Sequence, residues 1–262
     1  MKKIIAMLLV TLMALSMAGC GAAATGTATD LSYIKDKGTL IVGITDFAPM
    51  DYKDDSGEWI GFDADLGRIV AEDLGVSIEF VEIDWDNKIL ELDNKSIDCV
   101  WNGMTLTNEV KSAMNCTNAY CKNAQVVVLK SDKAAGYQEE DKLSDLQFAV
   151  EAGSAGEAVA EEKGLNFTSL TSQADALMEV EAGSSDACII DLLMAGAMIG
   201  EGTSYTDLTT TVELTEEAYG VGCRKDSDLT AFLNEEFKKL YDDGTIEKIA
   251  KTYGVQYAIL PQ

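Results

Sequence analysis

The chain has 262 residues, of which 45 are acidic and 20 are basic, so its formal net charge is −25 at pH 7. Nucleic acid is therefore not an expected partner, because neutralising phosphates requires Lys and Arg. The sequence contains no histidine, which excludes Ser-His and Cys-His catalysis and removes the most common metal ligand.

The N-terminus has the pattern of a secretory signal. Two lysines precede an apolar stretch that ends at Leu15 and is too short for a membrane-spanning helix. The segment that ends at Cys20 resembles the lipobox of bacterial lipoproteins, in which the cysteine becomes the lipidated first residue of the mature chain. We expect residues 1–19 to form a lipoprotein signal peptide, acyl chains such as palmitate to modify Cys20, and residues 20–29 to form a flexible tether. The alternative is an ordinary cleaved signal in which Cys20 is incidental.

Apolar runs predict strands along the rest of the chain, and most are separated by helical patterns. The predicted strands are Leu40–Ile44, Ile78–Ile83, Asp98–Trp101, Val126–Leu129, Phe148–Ala152, Ala187–Ile190 and Tyr219–Cys223. This alternation predicts an α/β fold with mainly parallel sheets covered by helices.

Three helices have recognisable ends. Asp63 is predicted to cap the first, which stops at Gly75. Ser154 and Glu157 have capping-box spacing at the start of the second. An amphipathic face from Leu229 to Leu240 predicts the third.

Five cysteines follow the lipobox, and none has the CxxC spacing of a zinc or thioredoxin-like motif. Cys99, Cys188 and Cys223 lie in apolar runs and are predicted to be core residues. Cys116 and Cys121 are close enough in sequence for a disulfide, but the odd number leaves the pairing open.

Four short motifs follow one another between Gly38 and Gly254. They are Gly38–Gly43 with Ala48-Pro49, Gly57–Leu66, Lys95–Thr107 and Tyr219–Lys225. Their order and spacing resemble the polar amino-acid substrate-binding proteins of ABC importers, which are family 3 of the bacterial extracellular solute-binding proteins.

The resemblance implies an α/β, two-lobe type II periplasmic-binding fold with a ligand cleft between the lobes and a two-strand hinge. Lobe 1 would comprise residues 30–124 plus 219–262, and lobe 2 residues 125–218. The implied protein is not an enzyme and has no cofactor, metal or catalytic residue. It would capture a small amino acid or amino-acid-like amine and deliver it to an ABC permease, as an exported monomer lipid-anchored on the outer face of the cytoplasmic membrane.

Carried over residue by residue, the resemblance also implies a ligand site. Its members are Asp46, Phe47, Trp85, Asn102, Gly103, Thr105, Ser154, Ala155 and Asp191. Phe47 and Trp85 would flank the ligand side chain. The turn that starts at Asn102 and the helix start at Ser154 would contact the α-amino and α-carboxylate groups. Asp191 would pair with the ligand ammonium, and Asp46 would lie at the pocket mouth.

Several of these residues have a purely structural alternative. Phe47 and Trp85 are alternatively core aromatics. Ser154 is alternatively no more than an N-cap, and Asp191 a cap at a strand end.

One position departs from the family pattern. Val110 stands where most members have an arginine that clamps the ligand carboxylate, and Lys111 points about 100° away on the helix. Either helix-start N–H groups hold the carboxylate alone, or the ligand has a modified or missing carboxylate, as an amine does.

Two other functions compete with solute binding. An enzyme on the same fold, such as a dehydratase, would need two cleft carboxylates as acid and base, and Asp46 and Asp191 are the only candidates. A sensory ectodomain is disfavoured because no transmembrane helix follows in the sequence.

Overall fold

The structure, a computed structural model, describes residues 29–262. The predicted signal peptide, Cys20 and most of the predicted tether lie outside these residues. Over the described range, no helix combines the length and the apolar character needed to cross a membrane.

Strands and helices alternate along much of the chain. The strands are β1 (Thr39–Ile44), β2 (Tyr52–Lys53), β3 (Trp59–Ile60), β4 (Ser77–Glu82), β5 (Cys99–Val100), β6 (Asn115–Cys116), β7 (Cys121–Asn123), β8 (Gln125–Lys130), β9 (Gln147–Glu151), β10 (Asn166–Leu170), β11 (Ala187–Asp191), β12 (Leu208–Glu213), β13 (Glu217–Tyr219) and β14 (Gly222–Cys223). The α-helices are α1 (Asp30–Lys37), α2 (Phe62–Leu74), α3 (Lys88–Asp93), α4 (Asn108–Ala113), α5 (Ala155–Lys163), α6 (Gln173–Ala182), α7 (Leu192–Met198), α8 (Leu229–Asp242) and α9 (Thr245–Thr252).

The strands form two five-stranded sheets, one in each lobe. The first has the order β4-β1-β5-β14-β6 and the second the order β10-β9-β11-β8-β12. In each sheet three strands run parallel: β4, β1 and β5 in the first, and β10, β9 and β11 in the second. Strands β14 and β8 are antiparallel to their neighbours, so the sheets are mixed instead of mainly parallel. The reason is that β8 and β14 each follow a direct crossing from the other lobe and not a covering helix.

Two short strands join the lobes. β7 leads from the first sheet into β8 of the second, and β13 leads back from β12 to β14. β7 and β13 pair antiparallel, with Glu217 opposite Asn123 and Tyr219 opposite Cys121. This pair is the two-strand hinge of the fold.

The C-terminal segment packs onto the first lobe. The buried guanidinium of Arg224 lies 3.2 Å from an Asp98 carboxylate oxygen and 3.0 Å from an Asp30 carboxylate oxygen. Lys37 reaches the other Asp98 oxygen at 2.6 Å. This buried network joins α1, the start of β5 and the end of β14, because a buried charge must be paired with another.

One predicted helix start is wrong. Gly61, with φ of 135°, is the N-cap of α2, and Asp63 lies buried inside the first turn. The Asp63 carboxylate instead accepts hydrogen bonds from the Gly103 N–H and the Tyr120 hydroxyl, both at 2.7 Å. The other two predicted helix starts lie as expected, with Ser154 capping α5 and α8 beginning at Leu229.

Candidate functional site

A cavity of about 340 Å³ lies between the two sheets. It is bordered by the segments that follow β1 and β5 on one side and by the ends of β9 and β11 on the other. Ligands of α/β proteins commonly bind at the carboxyl ends of parallel strands. The cavity lining includes eight of the nine predicted site residues, namely Phe47, Trp85, Asn102, Gly103, Thr105, Ser154, Ala155 and Asp191.

Asp46 lies apart from the other eight. Its side chain is exposed and lines a neighbouring cavity, together with Glu82 of the first lobe and Asp175 of the second. Asp46 and Asp191 therefore do not face one common cavity as an acid and base would.

The aromatic part of the first wall is tightly packed. Phe47 is buried and meets Tyr219 edge to face, with ring centroids 6.3 Å apart. Gly103 has a φ of 52°, and a Cβ at this position would collide with the Phe47 ring. Trp85 is also buried, at the start of the 3₁₀ turn Trp85–Asn87. Gly103 is thus required both by its backbone conformation and by the position of Phe47.

Asn102 uses its side chain entirely within the protein. Its Nδ2 donates to the Thr45 carbonyl at 3.1 Å and to Asp51 Oδ2 at 2.8 Å. Its Oδ1 accepts from the Thr45 N–H at 3.0 Å and from the Thr45 hydroxyl at 2.8 Å. Since an amide side chain has two donor hydrogens and two acceptor lone pairs, no bonding capacity remains for a ligand. Only the backbone of Asn102 is available.

The turn after β5 is held by the hydrogen bond from the Gly103 N–H to the buried Asp63 carboxylate. Burial raises the pKa of Asp63 to about 7, although the hydrogen bonds from Tyr120 and Gly103 lower it. At the other end of the turn, the Thr105 hydroxyl donates to Glu217 Oε1 at 3.0 Å and keeps its acceptor capacity. The turn is therefore a fixed frame at the cavity wall.

Asp191 ends β11 and is only 5% exposed. Its carboxylate accepts hydrogen bonds from the Tyr219 hydroxyl at 2.6 Å, from Gln173 Nε2 at 2.5 Å and from Asn123 Nδ2. Although Asp191 precedes α7, its side chain makes no capping hydrogen bond. The capping alternative therefore does not account for this residue.

Asp191 has neutral hydrogen-bond donors but no basic partner within 4 Å among residues 29–262. Burial raises the pKa of Asp191 to about 7, and repulsion from Glu217 adds to this, whereas the bonds from Tyr219 and Gln173 act in the opposite direction. A cation in the cavity would supply the missing counter-charge.

Ser154 and Ala155 bring the start of α5 to the cavity. Ser154 Oγ accepts the Glu157 N–H at 3.1 Å, and Glu157 Oε2 accepts the Gly153 N–H at 2.7 Å. Ser154 is thus an N-cap and also lines the cavity. The N–H groups of the first helical turn have no backbone partner within the helix, and Ser154 already binds that of Glu157, so those of Ala155 and Gly156 can donate to an anion.

Val110 lines the cavity from α4 and is buried in an apolar cluster with Trp85 and Met104. Lys111 lines a different cavity. The position that the resemblance associates with a carboxylate-binding arginine is therefore an apolar part of the wall.

Lys88 is a cavity residue that the sequence did not single out. Its Nζ donates to the Trp85 carbonyl at 3.1 Å and across the cleft to the Gly153 carbonyl at 2.8 Å. Burial lowers the pKa of Lys88, while Glu109 and Glu151 raise it. The Lys88 ammonium contributes positive charge near the start of α5.

Glu151 and Gln173 were missed as well. Glu151 ends β9 as Asp191 ends β11. Gln173 is the first residue of α6, lines the same cavity and donates to Asp191. Glu151 carries a sequence signal that could have identified it, namely an acidic residue at a strand end shortly before a helix start, whereas Asp191 was assigned through the family resemblance.

Neither a metal site nor a disulfide occurs in residues 29–262. No group of three or more His, Cys, Asp or Glu side chains there could hold a metal ion. All five cysteines after residue 28 are free, and Cys99, Cys188 and Cys223 are fully buried in strands.

Residues 40–256 match the family of bacterial extracellular solute-binding proteins, family 3. The arginine-binding extracellular protein ArtP of Bacillus subtilis is 27% identical over 259 residues, which cover 97% of this chain and 98% of that protein. An ABC uptake transporter substrate-binding protein of Streptococcus pneumoniae with bound histidine is similar at 30% identity and a TM-score of 0.79, over 88% of this chain and 98% of that one. The ancestral amino acid-binding protein AncCDT-1, a precursor of cyclohexadienyl dehydratase, is similar at 31% identity and a TM-score of 0.78, over 85% and 98%.

Proposed function

We propose, since the chain belongs to family 3 of the bacterial extracellular solute-binding proteins, that it captures a small amino acid or amino-acid-like amine and delivers it to an ABC importer. The observation that carries the proposal is the buried Asp191 carboxylate, which faces the cavity between the lobes without a cationic partner among the described residues. Closing two lobes around a solute hides it from water and strengthens its polar contacts.

In the proposed site, Asp191 binds the ligand's α-ammonium and the rings of Phe47 and Trp85 flank its side chain. An ammonium on a buried carboxylate forms a charge-assisted hydrogen bond. The aromatic rings add apolar area and, for a cationic side chain, an attraction of about 0.5 to 2 kcal/mol. The backbone at Asn102 and Gly103 and the Thr105 hydroxyl complete the contacts on this wall.

The α-carboxylate is proposed to lie at the start of α5. Ala155, directly after the N-cap Ser154, presents a first-turn N–H group there, and Lys88 adds a positive charge from the opposite lobe. This arrangement takes the place of the arginine that Val110 replaces. A helix start contributes about 0.3 to 1 kcal/mol to anion binding, so the carboxylate contact is expected to be weak.

The remaining features complete the proposal. Lobe 1 comprises residues 30–124 plus 219–262, and lobe 2 residues 125–218, each built around one sheet. Cys20 carries the lipid that holds the exported monomer on the outer face of the cytoplasmic membrane. Asp46 lines the adjacent cavity and would contact a ligand side chain only if that side chain extends past Trp85.

A dehydratase is less well supported than a binding protein. The acid and base that the sequence offered, Asp46 and Asp191, line different cavities. The family match and the arginine-binding relative favour binding without chemistry.

The proposed function is tested by thermal unfolding of the purified full-length chain. The panel consists of amino acids, their amides and esters, and simple amines. A ligand at a hundred times its dissociation constant stabilises the fold by about 2.7 kcal/mol, which raises the melting temperature by several degrees. If no member of the panel shifts the melting temperature of the folded protein, the proposed function is wrong.

A further inference from the structure

The strongest unexplained group in the cavity is the carboxylate of Glu151. Glu151 is the last residue of β9, is only 2% exposed and lines the cavity between the lobes. Its Oε1 is buried and has no hydrogen-bond partner among residues 29–262. Leaving a buried polar atom unpaired is costly, so such an atom facing a cavity indicates a missing ligand group.

Glu151 and Asp191 occupy equivalent positions in the second sheet. β9 and β11 are parallel neighbours, and both carboxylates lie at their carboxyl ends. Burial raises the pKa of Glu151 to about 8, and repulsion from Asp191 adds to this, whereas Gln173 and Lys88 act in the opposite direction. The empty cavity therefore holds two acids that disfavour each other's charge.

The charges around the cavity are unequal. Its buried acidic lining residues are Glu151 and Asp191, whereas Glu109 and Glu162 are exposed to solvent, and Lys88 is the only basic residue among the lining residues that the structure describes. The Lys88 ammonium already donates to the carbonyls of Trp85 and Gly153. One ligand ammonium would balance Asp191 but would leave Glu151 with only Lys88 as a counter-charge, and the two form no ion pair within 4 Å.

We propose that Glu151 binds a second cationic group on the ligand, so that the site takes amino acids or amines with an ammonium or guanidinium on the side chain. This inference rests on the proposed function, because it assigns the far end of the same ligand. The α-ammonium binds Asp191, the aliphatic stem passes the rings of Phe47 and Trp85, and the second cation binds Glu151. A carboxylate accepts such a group through strong, directional hydrogen bonds.

The test compares L-arginine with L-citrulline, its uncharged isostere, by isothermal titration of the purified full-length chain. Because hydrogen bonds to a charged partner contribute about 1.5 to 3 kcal/mol, arginine is expected to bind about tenfold to a hundredfold more tightly than citrulline. The Glu151→Gln variant keeps the shape and removes the charge, so this ratio should fall to about one to three.

The matched control is Glu162→Gln. Glu162 also lines the cavity but is exposed to solvent, so its charge is screened. Removing it changes the net charge by the same amount and should alter the arginine to citrulline ratio by less than about twofold. Thermal unfolding of the ligand-free variants shows that both remain folded, because glutamine at residue 151 removes a buried charge instead of creating one.

The inference is overturned if citrulline or neutral amino acids bind wild-type protein as tightly as arginine, while the proposed function stands. It is also overturned if Glu151→Gln retains the wild-type ratio. If neither these two ligands nor any neutral amino acid binds the folded protein, the proposed function fails and this inference fails with it.

Discussion

The two walls of the cavity satisfy their polar groups in different ways. On the first-lobe wall, Asn102 makes four hydrogen bonds within the protein, and Val110 is apolar. On the second-lobe wall, residues 29–262 offer no hydrogen-bond partner to Glu151 Oε1 and only neutral donors to Asp191. The polar side chains of the first wall are thus hydrogen-bonded without a ligand, whereas those of the second wall are not fully satisfied. The difference indicates that the first lobe sets the shape of the site and the second lobe sets its charge.

The largest expected effect is on the second wall. Asp191→Asn should weaken binding of the most stabilising amino acid in the panel by about thirtyfold or more, because removing one partner of a buried charge pair costs about 2 to 5 kcal/mol. Isothermal titration measures the loss. Glu162→Gln, at the exposed mouth, should change the affinity by less than about twofold. An Asp191→Asn variant with wild-type affinity would show that the second wall does not set the charge requirement.

Substitutions in the first wall should lower the free energy of unfolding and leave the ligand preference unchanged. In Gly103→Ala, the new Cβ meets the Phe47 ring and the backbone has a φ of 52°. Strain and overpacking of this kind cost about 1 to 3 kcal/mol, measured by urea unfolding of the ligand-free protein.

Gly196→Ala is the control for that prediction. Gly196 lies inside α7, where a Cβ would meet only the Tyr257 hydroxyl at 3.7 Å. Alanine favours the helix there, so this variant should gain up to about 1 kcal/mol. Equal stability of the two variants would contradict the rigid packing assigned to the first wall.

The pH dependence of stability sharpens the contrast between the walls. The pKa of Glu151 is raised from 4.5 to about 8, so between these pH values the folded protein binds more protons at this group than the unfolded chain does. The free energy of unfolding therefore falls as the pH rises through this window, by on the order of 1 kcal/mol per pH unit.

Glu151→Gln removes this contribution, so the variant should lose less stability between pH 5 and 8 than wild type, measured by urea unfolding in about four buffers across that range. Asp191, Asp175 and Lys88 act on Glu151 and remain in the variant. Because Glu151 and Asp191 repel each other, the variant also lowers the pKa of Asp191, which reduces the loss of stability in the same direction. Identical pH slopes would mean that Glu151 is ionised in the empty cavity.

The smallest effect concerns the carboxylate. With Val110 in place of an arginine, helix N–H groups provide most of the anion contact. L-arginine and L-arginine amide should therefore differ in affinity by less than about tenfold, as measured by isothermal titration. Lys111→Met should leave this ratio unchanged, because Lys111 lines another cavity. A hundredfold preference for the free carboxylate would contradict the weak contact proposed for the start of α5 and Lys88.

The central strands and the edge strand β4 were predictable from sequence, whereas the edge strands of the second sheet were not. The runs at Leu40–Ile44, Val126–Leu129 and Ala187–Ile190 lie within β1, β8 and β11. Strands β10 and β12 were missed because they are the edges of the second sheet and consist largely of Thr, Ser and Asn. These two edge strands bury few side chains and lack a continuous apolar run, whereas the edge strand β4 contains Ile78, Phe80 and Val81.

The site was predictable where a residue's role depends on its own strand or turn. The family resemblance assigned Asp191 and Ser154 to the site, and the strand end and helix start that they occupy agree with that assignment. Glu151 and Lys88 were not assigned to it, because their roles depend on groups in the opposite lobe: Lys88 reaches Gly153, and Glu151 faces a cavity that both lobes enclose. Asp63 was misassigned for the same reason, since its partners Gly103 and Tyr120 are distant in sequence.

The most direct test of the division between the walls is a crystal structure of the protein with the most stabilising amino acid bound. We expect the ligand ammonium within about 3 Å of the Asp191 carboxylate, its side chain between Phe47 and Trp85, and its distal cation at Glu151. A ligand bound instead in the adjacent cavity beside Asp46 and Met178, with Asp191 and Glu151 unoccupied, would contradict this account.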